Sequence, residues 1–460
     1  MRFGSASFYK RMLSIALPVM AQLFIQNLVS LIDNFMVAGL GDIKMSGVNV
    51  AGQINFIMLV LVNGVLCAGG GIFMSQYKGA GDKGGMRHVF SYKLIVTLVP
   101  AIAFTLFCAT HPAPVLALMV RGNAAAQEIV AQAATYERVL AWTWIPFAVS
   151  VSISSSLRET GEVHVPLIIS VTATLVNTIG NYILIYGHFG APRLEVIGAA
   201  VATIIARTAE MIAFIVYIVV KKPDFVGTVR DILSVRHKLA YTILAKSAMI
   251  AVSELSWVLS ETVATALYNS RGGAEIVSGM AAGFTIANLF FVSLSGIYTA
   301  TGVVMGMTLG AGKLDSVREQ KAWITNGAFV FGIFVMLLGF ASTLFIPLVF
   351  VNLSSAARAI SRGVVFSMAA YMPLWCLLNA QFSISRTGGD TAMGAVVDLT
   401  VTLVIFMPCM FVLTYFTTLG PVAMYAIAKL SDFGKAVVAS LWLRKEKWLH
   451  NLVAENAVGA

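Results

Sequence analysis

The sequence predicts an all-α polytopic membrane protein with twelve transmembrane helices. Of its 460 residues, 58% are hydrophobic and only 11% are charged, whereas a soluble domain carries about 25% charged residues. Apolar stretches such as 329–350 reach the roughly 20 residues that a membrane-spanning helix needs. Strands of a membrane barrel take only about 9–11 residues, so the length of these stretches favours helices.

The predicted spans follow from the apolar stretches in chain order. The basic N-terminus followed by an apolar run resembles a signal peptide, but Gln22, Gln26, Asn27 and Asp33 interrupt that run. We therefore interpret it as a retained first helix. The twelve spans lie at 12–36, 46–76, 92–110, 135–157, 165–187, 196–220, 243–269, 276–308, 322–350, 360–384, 392–416 and 420–443.

Lysine and arginine residues predict the orientation of these spans. One set of alternating loops holds 21 of them and the opposite set, with the span ends, holds six. Because basic residues stay in the cytoplasm, we expect both termini to be cytoplasmic, in the plasma (inner) membrane of a prokaryote. The net charge of +10 does not indicate a nucleic-acid partner, because the basic residues form no single patch. The richer set is Arg2, Lys10, Arg11, Lys78, Lys83, Arg87, Lys93, Arg158, Lys221, Lys222, Arg230, Arg236, Lys238, Lys246, Lys313, Arg318, Lys321, Arg386, Arg444, Lys445 and Lys447.

Two short motifs recur at nearly one offset and indicate an internal repeat. The tetrapeptide GAGD at 79–82 follows span two, and GAGK at 310–313 follows span eight. RETGE at 158–162 and RTGGD at 386–390 follow spans four and ten in the same way. Parallel six-helix repeats of this kind commonly build transporters. The predicted domains are an N-terminal lobe at 1–220, a cytoplasmic linker at 221–242, a C-terminal lobe at 243–445 and a cytoplasmic tail at 446–460.

The order and spacing of these motifs resemble the MATE (multidrug and toxic compound extrusion) transporters over nearly the whole chain. The resemblance implies two six-helix lobes related by pseudo-two-fold symmetry, in a V-shaped arrangement. It also implies a cation-coupled antiporter, not an enzyme, that exports organic cations or amphipathic drugs by alternating access while H⁺ or Na⁺ enters. The resembling segments are Pro18 with 32–39, the loop 79–82, 157–166, Asn177 with 181–187, 198–203, 309–312 and 386–390.

Four polar residues of the first lobe are candidates for cation coupling. Ionisable groups inside a span cost about 2.5–3.5 kcal/mol on insertion scales and are functional hypotheses by default, which singles out Asp33. Asn177 and Asn181 share one face of span five, and Thr203 adds a hydroxyl from span six. The carboxylate, amide and hydroxyl oxygens of these four residues are hard ligands that suit Na⁺. Alternatively, the Asp33 carboxylate alone holds a proton. By resemblance the four occupy the family's first-lobe cation site, where many relatives carry Asp in place of Asn181. The bland alternatives are an Asp33 exposed at the outer surface and interhelical hydrogen bonds for the two asparagines.

The second lobe offers a different set of carboxylates. Glu254 and Glu261 lie seven apart in span seven, and Asp398 lies in span eleven. They form a second cation site or pair structurally with one another or with Arg386, and the sequence leaves both open. By the resemblance, Trp257 and Trp375 lie near positions where some relatives carry cation-binding carboxylates. Neighbouring charges predict two internal ion pairs, Arg207–Glu210 and Lys429–Asp432.

The remaining candidates concern ligands and alternatives. Methionine side chains adapt to varied ligands, so we propose as cavity-lining candidates Met20, Met36, Met58, Met280 and Met305. We expect amphipathic or cationic small molecules and membrane lipids as partners, no cofactor beyond the coupling ion, and a monomer.

The alternative function is a lipid-linked saccharide or lipid flippase of the same superfamily. Such flippases have arginine-rich cavities, and these spans contain no arginine cluster. Asn181 stands where many relatives carry a carboxylate, so the first-lobe site holds less negative charge. This favours protons over Na⁺ as the coupling ion.

Overall fold

The computed structural model describes residues 2–121, 125–228, 231, 235–351 and 353–458. Part of the predicted linker, Arg230 of the basic set and the last two residues of the predicted tail lie outside the described residues.

The predicted all-α fold is confirmed. Eleven helices in the described part of the chain are long and apolar enough to cross a membrane, and the twelfth predicted span forms two shorter helices that meet at Leu430. Short helices lie between or after them at Ala113–Met119, Ile346–Val349 and Leu452–Val458. The long helices are α1 (Ala6–Ala38), α2 (Asp42–Ala80), α3 (Lys83–Thr110), α4 (Ala126–Glu159), α5 (His164–Tyr186), α6 (Glu195–Lys221), α7 (His237–Asn269), α8 (Ala274–Gly310), α9 (Leu314–Ser342), α10 (Ser355–Thr387) and α11 (Ala392–Phe416), followed by α12 (Pro421–Lys429) and α13 (Ser431–Arg444).

Several helices contain local departures from α-helical geometry. A π-helical segment occupies Val60–Cys67 of α2, and another occupies Thr402–Phe406 of α11. A single 3₁₀ turn at Ala141–Thr143 lies inside α4. Pro18 lies inside α1, which continues on both sides of it. These wider or tighter turns keep long helices continuous where the regular hydrogen-bond ladder is disturbed.

The ninth predicted span is displaced along the chain. The sequence predicts it at 322–350, but α9 begins at Leu314 and ends at Ser342. The first turns of α9 carry Asp315, Arg318 and Glu319 on an exposed face, so hydropathy alone predicts a loop there. The apolar residues after Ser342 form turns and a short helix with proline in its first turn, where proline is tolerated.

The repeated motifs form matching chain reversals in the two halves. Gly81 and Gly312 have φ of 72° and 73°, and Gly161 and Gly389 have φ of 95° and 93°. At the second pair, the amide of Gly161 donates to Arg158 at 3.0 Å and that of Gly389 donates to Arg386 at 2.9 Å. Left-handed backbone of this kind ends helices and favours glycine, which explains why the motifs recur.

The described contacts divide the chain into two compact units. The first comprises Met1–Met20, Ser75–Gly81 and Ala245–Ala460, and the second comprises Ala21–Met74 and Asp82–Leu244. Helices α1 and α2 therefore contribute to both units, and the sequence-based boundaries of the lobes stay a prediction.

The predicted tail packs within the first unit. Trp448 is completely buried and Leu452 is buried. The amide of Leu452 donates to Oε1 of Gln76 at 2.9 Å, and Nδ2 of Asn451 donates to the carbonyl of Leu309 at 3.1 Å. The tail thus ties the ends of α2 and α8 together.

Candidate functional site

Close packing of α5 against α6 builds the frame of the candidate site. A Cβ on Gly180 would lie 3.0 Å from the Cβ of Ala202, and a Cβ on Gly198 would lie 2.5 Å from the carbonyl oxygen of Leu184. Glycine at these two positions therefore lets the helix backbones approach more closely than side chains would allow. As a result, the polar side chains of α5 come within hydrogen-bonding distance of α6.

The four residues predicted for the first-lobe site come together at this frame. Oδ1 of Asp33, on α1, accepts a hydrogen bond from the hydroxyl of Thr178 at 3.3 Å. The side chain of Asn181 also hydrogen-bonds to the Asp33 carboxylate, and the side-chain amide of Asn177 lies within hydrogen-bonding distance, 3.2 Å, of the Thr203 hydroxyl. Their coupling role itself stays a prediction. Sequence reasoning missed Thr178, although it follows Asn177 and lies three residues before Asn181 on the same helix.

The amide of Asn177 joins Asp33 to α6. Its nitrogen donates to Oδ2 of Asp33 at 3.0 Å, and its oxygen accepts from the backbone amide and the hydroxyl of Thr203, both at 3.2 Å. Asn177 therefore presents a hydrogen-bond donor to the carboxylate and an acceptor to α6.

Burial and charge distinguish this cluster from an ordinary helix contact. Asp33 is half-buried and Asn181 is buried, and Oδ1 of Asn181 has no hydrogen-bond partner among the described residues. Within the described ranges, no lysine, arginine or histidine forms an ion pair with Asp33. A carboxylate inside a span without a basic partner is suited to bind a cation or a proton.

The second-lobe candidates are each paired with a basic side chain, so the structure shows the structural alternative for them. Ser253 also donates to Asp398 at 2.7 Å. Of the two ion pairs predicted from neighbouring charges, Arg207–Glu210 is confirmed at 2.8 Å, whereas Asp432 forms its ion pair with Lys435, at 3.5 Å. The cation-binding role of the three carboxylates stays a prediction. The three second-lobe candidates form the ion pairs Glu254–Arg386 at 3.4 Å, Glu261–Lys429 at 2.5 Å and Asp398–Lys435 at 3.1 Å.

The candidate cavity methionines do not share one environment. Met58, Met280 and Met305 are buried in separate apolar clusters. Met20 is half-buried and lies against Gly296 of α8, where an added Cβ would meet its side chain at 2.5 Å. Met36 is also half-buried, and its carbonyl accepts a hydrogen bond from Tyr186 at 2.8 Å. The buried three act as packing residues in this structure.

Comparison with known proteins gives a consistent result. A sequence model of the MatE family matches residues 18–183 and again 250–416, one segment in each predicted half. A probable multidrug resistance protein NorM of Halalkalibacterium halodurans is 23% identical over 449 residues, covering 95% of this chain and 94% of the relative. Another probable NorM, of Thermotoga maritima, is 24% identical over 320 residues, covering 69% and 67%. The crystal structure of a MATE protein in the straight conformation superposes with a TM-score of 0.84 at 22% identity, covering 95% of both chains.

Proposed function

The chain belongs to the MatE family of membrane transporters, and from this premise we propose that it is a multidrug exporter. Its relatives are named as probable multidrug resistance proteins, and the substrates that we propose for this chain are amphipathic or cationic small molecules. Export would be coupled to the inward movement of a cation by alternating access. We further propose that it acts as a monomer in the plasma membrane of a prokaryote, with both termini in the cytoplasm.

The observation that supports cation coupling is the environment of Asp33. Its carboxylate lies within a membrane span, forms no ion pair in the described structure, and is contacted by three polar side chains of α5. A charged group in that position is costly unless it is compensated. Reversible binding of a cation or proton supplies the compensation and links the site to an ion gradient.

We favour protons as the coupling ion because of the donors around the carboxylate. Thr178 and Asn181 already donate to Asp33, and the Asn177 amide adds a third donor. These groups turn hydrogen atoms rather than oxygen atoms toward the carboxylate, so they leave few ligands for a metal ion. When Asp33 binds a proton, rotation of the Asn177 amide would present its oxygen to the new O–H group. A Na⁺ ion would instead need several of these groups to turn their oxygens inward.

The available energy is sufficient for a modest gradient. Each pH unit supplies about 1.4 kcal/mol per proton, and about 100 mV of inside-negative potential adds roughly 2.3 kcal/mol per charge. One proton entering through Asp33 could therefore drive export without sodium.

Everted membrane vesicles with separately imposed gradients test this function. Uptake of a fluorescent organic cation should follow an imposed proton gradient in sodium-free buffer and collapse when a protonophore is added. Uptake that requires sodium and ignores the protonophore would reverse the choice of ion. Absence of gradient-driven uptake with any of a panel of amphipathic cations would contradict the exporter function.

A further inference from the structure

A second carboxylate of the same unit, Glu137, lies outside the Asp33 cluster. It belongs to α4 and is completely buried. Nδ2 of Asn55, on α2, donates to its Oε2 at 2.7 Å, and Oδ1 of Asn55 accepts from Nε1 of Trp144 at 2.6 Å. The thiol of Cys108, on α3, interacts with the same carboxylate, while Oε1 has no hydrogen-bond partner in the described part of the chain. Three helices thus hold this side chain in a fixed polar niche.

The absence of a basic partner separates Glu137 from the other buried carboxylates. Among the described residues these others are Glu210 and Asp432. Glu210 pairs with Arg207 at 2.8 Å and Asp432 pairs with Lys435 at 3.5 Å, but no ion pair between described residues involves Glu137. An ionised carboxylate buried without a counter-charge is very costly. A proton on Glu137 removes that charge.

Tyr136 connects this niche to the Asp33 cluster. Its phenol is buried and interacts electrostatically with both Glu137 and Asp33. The titratable groups that interact with Glu137 are therefore Cys108 and Tyr136, and Tyr136 also interacts with Asp33. Asn55, which donates to the carboxylate, is only half-buried, so the niche includes a partly exposed polar side chain.

We infer that Glu137 is a second proton-binding carboxylate of the transport cycle, coupled to Asp33 across Tyr136. The inference rests on the proposed proton-coupled export. The step is a simple protonation, in which an O–H bond forms at the Glu137 carboxylate and breaks when the proton leaves. Two carboxylates that each bind a proton would exchange two protons for each substrate molecule. For an exchange that moves no net charge, the largest substrate gradient that one pH unit can sustain then rises from about ten-fold to about 100-fold.

The first test counts protons in reconstituted vesicles. Proton flux and substrate flux are measured together with a pH-sensitive dye and a fluorescent organic cation. The unaltered protein should move two protons per substrate, and Glu137→Gln should move one. The matched control is Glu210→Gln, which removes a buried carboxylate that already has a basic partner, and it should keep the ratio of two. Glu137→Asp, which retains a carboxylate, should also keep it.

The second test observes the proton directly, whether or not transport occurs. Infrared spectra of the purified protein should contain a protonated-carboxyl C=O band that shifts in D₂O and disappears in Glu137→Gln. If that variant fails to fold, Asn55→Ala leaves the carboxyl in place but removes its hydrogen-bond donor, and it should shift the same band.

The outcomes separate the two proposals. If the protein moves protons and the ratio is unchanged in Glu137→Gln, or if the band responds to neither variant, the role of Glu137 is overturned while proton-coupled export stands. If the unaltered protein moves no protons with substrate, both proposals are overturned.

Discussion

Replacing Gly310 with alanine should force α2 and α8 apart where they cross. A Cβ at this position would lie 1.8 Å from the carbonyl oxygen of Gln76. Because that oxygen is part of the backbone, it cannot rotate away as a side chain would. The helices must separate by about 1.2 Å, since real Cβ contacts essentially never fall under 3.0 Å.

The displacement also affects the side chain of Gln76. Its Nε2 donates to the carbonyl of Thr387 at 2.8 Å, and its Oε1 accepts from the amide of Leu452 at 2.9 Å. Overpacking typically costs about 1–3 kcal/mol, and each weakened hydrogen bond about 1 kcal/mol. We therefore expect Gly310→Ala to lower the free energy of unfolding by roughly 2–5 kcal/mol.

Two companion variants make the test specific. Gly302→Ala lies on the same helix, but its nearest neighbour is Oγ1 of Thr387 at 4.0 Å. It should leave stability unchanged or raise it by up to about 1 kcal/mol, because alanine favours helix over glycine. Gly79→Ala, at the repeat-related position, would place a Cβ 2.0 Å from the carbonyl oxygen of Met307 and should resemble Gly310→Ala. The double variant should cost less than the two single costs added, because both open one crossing.

Unfolding midpoints of the purified proteins in one detergent, at one scan rate, measure these differences. If Gly310→Ala and Gly302→Ala unfold at the same temperature, the close crossing of α2 and α8 is wrong.

Three further changes test other parts of the structure. Glu261→Gln leaves the mostly buried Lys429 without its partner and should cost about 3–5 kcal/mol. Adding Lys429→Met should recover most of that loss in the same unfolding assay, and equal midpoints for the single and double variants would contradict the pair. Gly198→Ala brings a Cβ to 2.5 Å from the carbonyl oxygen of Leu184. It should lower the free energy of unfolding by about 1–3 kcal/mol and reduce gradient-driven export. Unaltered export and stability would refute the close packing of α5 on α6. Trp448→Ala removes a fully buried ring and should cost about 3–5 kcal/mol, and an unchanged midpoint would show that the tail is not packed.

Hydropathy and turn residues predicted most of the fold because both act locally. Apolar stretches located the helices, and the left-handed glycines at 81, 161, 312 and 389 lie in the motifs that indicated the repeat. The errors arose where local signals mislead. The amphipathic start of α9 is polar on its exposed side, and the final span breaks at Leu430 although it contains no internal proline or glycine at that point.

The compensation of buried charges could not be predicted from the sequence. Lys429 and Glu261 are 168 residues apart, so the pairing depends on helix packing that no local pattern reveals. Glu137 was missed for a related reason. The fourth span was expected to begin at 135, which placed Glu137 at a membrane edge, whereas α4 begins at Ala126 and carries this residue into the interior.

The most direct test of the proposed coupling is the behaviour of Asp33→Asn in reconstituted vesicles. This substitution keeps the shape of the side chain and its contacts with Thr178 and Asn181 but removes the titratable group. We predict that the variant unfolds like the unaltered protein and still exchanges labelled for unlabelled substrate at equal concentrations. It should no longer accumulate substrate against a gradient when a proton gradient is imposed. Accumulation equal to that of the unaltered protein would show that Asp33 does not couple export to the ion.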